Sequence, residues 1–203
     1  MSEDMKQSTT EQQQIDKSVY IAPGVQFYGN ITIGAESSVW PNVVMRAEAH
    51  EIRIGRYTNI QDFTMVHVGQ GTSTEIGDFC SITHHATVHG CRIEDECLIG
   101  INAVVMDGAE IGRGSIVAGG AMIREEARFP AGSIIAGVPA KQIGERDSSQ
   151  ANRINAWHYQ RNARAYQRNE HRAWTGPDYA TWLADLVEKV KTNADREVLK
   201  DAT

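Results

Sequence analysis

Four of the seven histidines in the chain lie within twenty-three residues. They are His67, the neighbours His84 and His85, and His89. Neutral imidazole is the commonest metal ligand in proteins, and a divalent ion needs three or four such donors that converge on one point. This clustering predicts a metal site. Whether the rings converge depends on the elements that carry them.

A six-residue period of large apolar residues runs through most of the chain, and a smaller residue usually stands two positions earlier, as Ala86 does before Val88. A helix would repeat every 3.6 residues and an ordinary strand every two, so neither explains the pattern. One large and one small inward residue in every six residues are typical of hexapeptide repeats, which stack as a parallel β-helix with three faces. The predicted fold class is therefore an all-β solenoid. The nineteen large positions are Ile21, Phe27, Ile33, Val39, Met45, Ile54, Ile60, Val66, Ile76, Ile82, Val88, Ile93, Ile99, Val105, Ile111, Val117, Ile123, Phe129 and Ile135.

Two longer gaps interrupt this repeat. Met45 precedes Ile54 by nine residues, and Val66 precedes Ile76 by ten. Each gap exceeds one hexad, so small loops are predicted to protrude after the third corner of two successive coils. Both loops would begin just past residues of the predicted metal site.

Three segments are predicted along the chain. Residues 1–17 are polar and predict a flexible tail, because they cannot bury enough apolar surface to offset the entropy of ordering. Residues 18–145 form the β-helix that carries the metal site. In residues 146–203, helical spacing predicts one helix within 148–174 and a second beyond the break at Gly176 and Pro177. Both helices are expected to pack on the β-helix.

The repeat also predicts where the histidines point. His67 and His89 each follow the large residue of a third hexad, so they project from one face on adjacent coils, about 4.8 Å apart. Both rings can then reach one ion at about 2.0–2.1 Å. His84 lies at the preceding corner, on the order of 15 Å from His89 along nearly extended chain. Three ligands on one ion therefore require His84 from a second copy, and a prism with three equivalent edges favours a closed homotrimer.

The same register predicts polar groups around the ligands. Arg46 lies one coil below His67, Asp62 lies below His84, and Gln61 directly precedes that aspartate. Guanidinium, carboxylate and amide groups in these positions can orient the imidazoles. His85 shares the corner with His84 and stays an alternative ligand.

Together these residues resemble the γ-class carbonic anhydrase family, over roughly residues 19–145. The resemblance implies a left-handed β-helix, a homotrimer, and Zn²⁺, or alternatively Fe²⁺ or Co²⁺, held at each subunit interface by His67, His84 and His89. The histidine spacing is its specific feature. The accompanying motifs are Val39-Trp40, Arg46-Ala47-Glu48, Thr58-Asn59-Ile60-Gln61-Asp62, Val66-His67, His89-Gly90-Cys91 and Gly137-Val138-Pro139-Ala140-Lys141.

The resemblance also implies the hydration of carbon dioxide to bicarbonate. Zinc with an open position lowers the pKa of bound water to about 7 and supplies hydroxide. In that family the counterpart of Gln61 hydrogen-bonds this hydroxide, and the counterparts of Arg46 and Asp62 form a polar pair near the interface. Arg46, Asp62 or Glu48 is expected to position neighbouring groups or accept the proton.

The chain departs from the family at three places. Glu48 stands where the family usually has aspartate, and Ala49 stands where the best-studied members have a catalytic glutamate. Residues 68–74 lack the proton-relay glutamate that those members carry in this loop. Slower proton transfer is therefore expected.

Three other functions stay open at this point. The same metal site could act on a thioester or another small carbonyl compound. A hexapeptide acyltransferase would use a histidine as general base and bind coenzyme A along the interface groove. The protein could also be a trimeric scaffold without catalytic activity.

The composition narrows the expected partners and location. The formal net charge of −6 argues against binding to nucleic acid or an anionic membrane. No apolar run approaches the roughly 18–20 residues of a membrane span. Three cysteines at irregular spacing and a polar N-terminal stretch indicate neither a disulfide framework nor a signal peptide. A cytoplasmic location is the expectation.

Overall fold

The structure, a computed structural model, describes residues 13–199. These residues form nineteen β-strands, two α-helices and one 3₁₀ helix. The helices are α1 (Ser149–Gln167), α2 (Pro177–Lys191) and the 3₁₀ helix (Ala194–Leu199). The strands are β1 (Gln13–Ile15), β2 (Tyr20–Ile21), β3 (Gln26–Ile33), β4 (Ser38–Val39), β5 (Val44–Ile54), β6 (Asn59–Ile60), β7 (Met65–His67), β8 (Thr74–Ile76), β9 (Ser81–Ile82), β10 (Thr87–His89), β11 (Arg92–Ile93), β12 (Leu98–Ile99), β13 (Val104–Val105), β14 (Glu110–Ile111), β15 (Ile116–Val117), β16 (Met122–Ile123), β17 (Arg128–Phe129), β18 (Ser133–Gly137) and β19 (Ala140–Glu145).

The predicted fold class is confirmed, because the strands stack as a left-handed parallel β-helix with a C-terminal helical extension. One face is an eight-stranded sheet in the order β19-β18-β15-β12-β9-β6-β4-β2. The other two faces belong to one eleven-stranded sheet, which runs β16-β13-β10-β7-β5-β8-β11-β14-β17 and includes β1 and β3. The long strands β3 and β5 cross the corner between these two faces, and so they join them.

The core follows the six-residue repeat. The large inward side chains of the central coils are buried, and so are the small inward residues, for example Cys80, Cys97 and Ala103. The repeat was wrong for Ile21, which is 44% exposed. Ile21 belongs to β2 at the edge of the eight-stranded sheet, and within residues 13–199 no further strand pairs with β2 on its outer side. Phe129, on the terminal strand β17, is half-buried for the same reason.

The predicted tail and the first predicted loop both differ from the structure. Residues 1–12 of the tail lie outside the described residues, but Gln13–Ile15 pairs with Ile31, Thr32 and Ile33 of β3. Ile15 packs against the core, so the ordered chain begins before the predicted boundary at residue 18. The gap after Met45 is not a separate loop. It is a bulge inside β5, where the pairing with β3 jumps from Ala47 to residue 51.

Helix α1 packs against the eight-stranded sheet, on β2, β4, β6 and β9, and it ends at residue 167 rather than near 174. Its buried face carries Arg153, a residue that the sequence pattern did not mark as buried. The guanidinium group lies 2.8 Å from Asp195 of the 3₁₀ helix and 3.4 Å from Glu96 of the β-helix. This buried cluster ties the C-terminal segment to the solenoid. Within residues 13–199, no helix has the length and apolar character that crossing a membrane requires.

The stacked core predicts a large difference between two isoleucine truncations. Ile99→Ala removes a fully buried side chain between β9 and β15, and we expect it to lower the free energy of unfolding by about 2–5 kcal/mol. Ile143→Ala is the matched control, because Ile143 is 67% exposed and should change stability by less than about 0.5 kcal/mol. Denaturant titration of both variants measures the difference, and equal losses would contradict the assigned core.

Candidate metal centre

His67 and His89 stack on adjacent coils. They are directly paired residues at the ends of β7 and β10, as the register predicts. The Nδ1 atom of His67 lies 2.9 Å from Nε2 of His89, and the two ring centroids are 4.8 Å apart. Two nitrogens bound to one tetrahedral ion at 2.0–2.1 Å would lie about 3.3 Å apart. The two facing nitrogens are therefore close to the spacing of a shared ligand pair.

A carboxylate contacts the outer nitrogen of each of these rings. The Nε2 atom of His67 lies 2.9 Å from the carboxylate of Glu48, and Nδ1 of His89 contacts the carboxylate of Asp107. Glu48 reaches His67 because it stands in the bulge of β5, where residues 48–50 have no partner on β3. Histidines that bind metals usually give their second nitrogen to such a group, which fixes the orientation of the ring.

Arg46 and Glu48 form an ion pair at the rim of this site. Partial desolvation would raise the pKa of the Glu48 carboxyl, but a backbone hydrogen bond, His67 and Arg46 together lower it. Glu48 is half exposed and is therefore an ionised carboxylate in contact with solvent at neutral pH. Within the described chain the partner of Arg46 is thus Glu48, and Asp62 contacts a different group.

His84 and His85 lie at the corner between β9 and β10. The Nδ1 atom of His84 is 3.1 Å from the carboxylate of Asp62, which leaves its Nε2 directed elsewhere. His85 adopts a left-handed backbone conformation, with φ of 58°, and its ring stacks on Phe63 at 5.0 Å. The carboxylate contact gives His84, rather than His85, the environment of a metal ligand.

These residues do not form a complete metal site in one chain. Across residues 13–199, no three or more His, Cys, Asp or Glu side chains are grouped so as to hold a metal ion. His67 and His89 supply two facing nitrogens, and His84 faces away at another corner. The donor set, three imidazoles that each contact one carboxylate, nevertheless fits zinc. A third imidazole would have to come from another copy of the chain.

Gln61 belongs to a buried amide network under α1. Its Nε2 donates to Oδ1 of Asn59 at 2.9 Å. The Nδ2 atom of Asn59 donates to the backbone of Cys80 and to the hydroxyl of Ser81, so its Oδ1 must face Gln61. Asn155 of α1 also donates to the Ser81 hydroxyl, at 2.8 Å. This network fixes which end of the Gln61 amide is the donor, and its Oε1 is left as the acceptor.

Aromatic residues of α1 pack close to Asp62. Trp40 contacts the rings of Tyr20, Tyr159 and Tyr166, with centroids 5.0–5.6 Å apart. Burial, and then the nearby charge of Asp62, raise the pKa of Tyr159 to about 12. Tyr159 therefore stays protonated at neutral pH.

Sequence reasoning missed Asp107 and the role of Asn59. Asp107 follows His89 by eighteen residues, which is one coil of three hexads, so the repeat itself places the two side chains next to each other. Asn59 was part of a motif, but its amide gains a role only once Ser81 and Gln61 are seen beside it. The contact from Asn155 requires the packing of α1, which the repeat does not contain.

Comparisons with known proteins show which families the chain resembles. The family model described as "Bacterial transferase hexapeptide (six repeats)" matches residues 90–125. A Methanocaldococcus jannaschii protein named "Probable carbonic anhydrase" is 43% identical over 131 residues, which are 64% of this chain and 82% of that protein. The Arabidopsis thaliana protein "Gamma carbonic anhydrase 2, mitochondrial" is 38% identical over 133 residues, 63% of this chain. The chain spans 48%, about half, of that plant relative.

A solved structure shares the fold. The crystal structure of a hexapeptide transferase family protein from Anaplasma phagocytophilum superposes with a TM-score of 0.72 at 31% identity. The match covers 76% of this chain and 92% of that one. The chain is therefore similar both to proteins named carbonic anhydrases and to a protein named a hexapeptide transferase.

The amide network predicts that α1 stabilises the coil that carries Gln61. Asn155→Ala removes the hydrogen bond to Ser81 and is expected to lower the free energy of unfolding by about 1 kcal/mol. Asn162→Ala, in the same helix, is the matched control, because the described residues show no side-chain hydrogen bond for Asn162. Chemical denaturation compares the two variants. An Asn155→Ala variant as stable as the control would show that the contact contributes nothing.

Proposed function

Since this chain belongs to the γ-class carbonic anhydrase-like family of hexapeptide-repeat proteins, we propose that it is a metalloenzyme that hydrates carbon dioxide to bicarbonate in a homotrimer. The observation that carries the proposal is the pair of facing nitrogens of His67 and His89, 2.9 Å apart, with a carboxylate behind each ring. The missing third ligand supports an assembly in which a neighbouring copy supplies His84.

His67 and His89 of one copy and His84 of the next would hold the ion, with zinc as the first candidate and iron or cobalt as the alternatives. When bound, zinc acts as a Lewis acid that brings the pKa of water to about 7. Asp62, 3.1 Å from Nδ1 of His84, would keep the other nitrogen of that ring directed toward the neighbouring copy.

Gln61 would orient the reacting water. Its amide is buried and its Nε2 already donates to Asn59. Its Oε1 is therefore the atom that can accept a hydrogen bond from the reacting water. An acceptor fixed before the substrate arrives needs no reorganisation during the reaction. Asn59 and Ser81 would therefore support Gln61 without touching the substrate.

The reaction also releases one proton for each bicarbonate formed, and Glu48 is the acceptor that we assign. Its carboxylate contacts His67 and Arg46 and is half exposed, so it connects the site to solvent. The contacts that lower its pKa keep Glu48 ionised at neutral pH, so that it is free to accept a proton. Residues 68–74 offer no second titratable group, so proton release would limit the rate.

A second candidate is an acyltransferase of the hexapeptide type. The name of the matching family model and the Anaplasma phagocytophilum structure favour it. This reading requires coenzyme A to bind and needs no stoichiometric metal. Equilibrium dialysis with coenzyme A, alongside metal analysis, separates the two candidates.

The proposed function predicts metal and activity together. Protein purified without oxygen is expected to contain one ion per chain and to hydrate carbon dioxide, with activity lost on chelation and restored by adding metal. His89→Ala is expected to lose both metal and activity, because one of two facing nitrogens is removed. Metal analysis and stopped-flow hydration assays measure both quantities.

His171→Ala is the control for this substitution, since His171 is exposed and contacts Asn169 and Tyr166 rather than the candidate ligands. It should keep full metal content and activity. Full metal content in His89→Ala would contradict the site. Metal without hydration in the unaltered protein would contradict the assigned reaction, and it would direct attention to thioesters and other carbonyl substrates.

A further inference from the structure

We infer that Asp107, supported by the hydroxyl of Thr72, is the positioning residue for His89. This inference rests on the proposed metal site. Asp107 follows β13, one coil beyond His89, and its Oδ1 contacts Nδ1 of that ring. About two thirds of both side chains are shielded from solvent. The contact therefore joins two partly buried groups on neighbouring coils.

The contact selects one form of the His89 ring. A carboxylate accepts hydrogen bonds, so Nδ1 of His89 must carry the proton that it shares with Asp107. A neutral imidazole with Nδ1 protonated has its lone pair on Nε2. That atom is the one that faces His67 at 2.9 Å. In the neutral ring, Asp107 thus selects the tautomer that has its lone pair on Nε2, and it aims that nitrogen toward His67.

The chain around Asp107 is built closely enough to hold it in place. A Cβ on Gly90, where φ is 54°, would lie 2.7 Å from Oδ1 of Asp107. A Cβ on Gly69, in the loop after β7, would lie 2.8 Å from Oδ2. A side chain at either position would displace the carboxylate. Gly90 also needs its left-handed backbone, and a Cβ there would meet the backbone nitrogen of Gly69 at 2.9 Å. The amide of Gly108, next to Asp107, donates to the carbonyl of Gly90 at 2.8 Å and locks the two coils together.

Thr72 also places its hydroxyl close to Gly69 and Gly90, the two glycines that border Asp107. Its Oγ1 atom is buried and has no hydrogen-bond partner within residues 13–199. The same Cβ positions on Gly69 and Gly90 would lie only 2.3 and 2.4 Å from that hydroxyl, so it occupies the same small space as the carboxylate. Burying a hydroxyl without a partner is unfavourable. The carboxylate of Asp107 borders the same two Cβ positions. Donation to it would satisfy the Thr72 hydroxyl and would fix the carboxylate from the loop side.

Metal affinity tests the inference without relying on enzyme activity. We expect Asp107→Ala to weaken zinc binding by about 10–100-fold, the usual effect of losing a group that orients a metal-binding histidine. Asp107→Asn should lose less, because an amide oxygen can still accept from Nδ1, and Thr72→Val should also lose less than Asp107→Ala. Competition with a chromophoric chelator measures the dissociation constants. Glu110→Gln, an exposed carboxylate paired with Arg128 on the next face, is the control and should bind zinc as the unaltered protein does.

The state of the His89 ring gives an independent readout in metal-free protein. Nitrogen NMR of the imidazoles should show His89 protonated on Nδ1 in the unaltered protein and a mixture of both neutral forms in Asp107→Ala. Circular dichroism must show that the variant keeps its β-structure, and Asp107→Asn serves as the readout if Asp107→Ala does not fold. Unchanged zinc affinity together with an unchanged ring form would overturn the role of Asp107. Absence of zinc binding in the unaltered protein would instead overturn the proposed function, and the NMR result would still decide the role of Asp107.

Discussion

The structure depends on the hydrogen-bonded register between successive coils. Each strand of the coils, apart from the antiparallel β19, pairs in parallel with the equivalent strand one coil away. Residues seventeen to twenty-two positions apart thereby become direct neighbours, as His67 and His89 do. A slip of one residue would turn every inward side chain outward, and the buried isoleucine and valine columns prevent it. The candidate site is a product of this register. It needs no loop to fold over it in order to bring His67, His89 and Asp107 together.

The site also shows how a solenoid acquires polar chemistry without disturbing its core. The histidines and carboxylates occupy outward positions or corners, while the inward positions of the same coils are mostly apolar. The exceptions include Thr64, whose buried hydroxyl donates to the backbone carbonyl of Thr83. Where the outward register alone would not reach, the chain departs locally from the repeat. The bulge in β5 brings Glu48 to His67. The loop of residues 68–74 places the Thr72 hydroxyl next to Gly90, which also borders Asp107. These departures are concentrated on the side of the candidate centre.

The sequence predicted those parts of the structure that arise from repetition. The six-residue period indicated the fold class and most of the core, and it placed His67 beside His89. It was wrong at Ile21, because a periodic pattern does not reveal which coil lies at the end of the stack, where one side of the strand is uncovered. It also did not reveal Arg153, whose burial depends on Asp195 and on the packing of a helix that lies outside the repeat. The same repeat places Asp107 next to His89, because eighteen residues separate them. The role of Asp107 follows only from its contact with Nδ1, the nitrogen of His89 that does not face His67.

The central claim is that each metal site is shared between two copies of the chain, and mixed assemblies test it most directly. One subunit would carry His84→Ala, and the other would carry His67→Ala together with His89→Ala, with different affinity tags so that trimers containing both can be isolated. In a three-fold ring, every mixed trimer keeps one interface at which all three histidines are present. We expect one bound ion in each mixed trimer and none in trimers of either variant alone. Mixed trimers without metal, or metal retained by either variant alone, would contradict it.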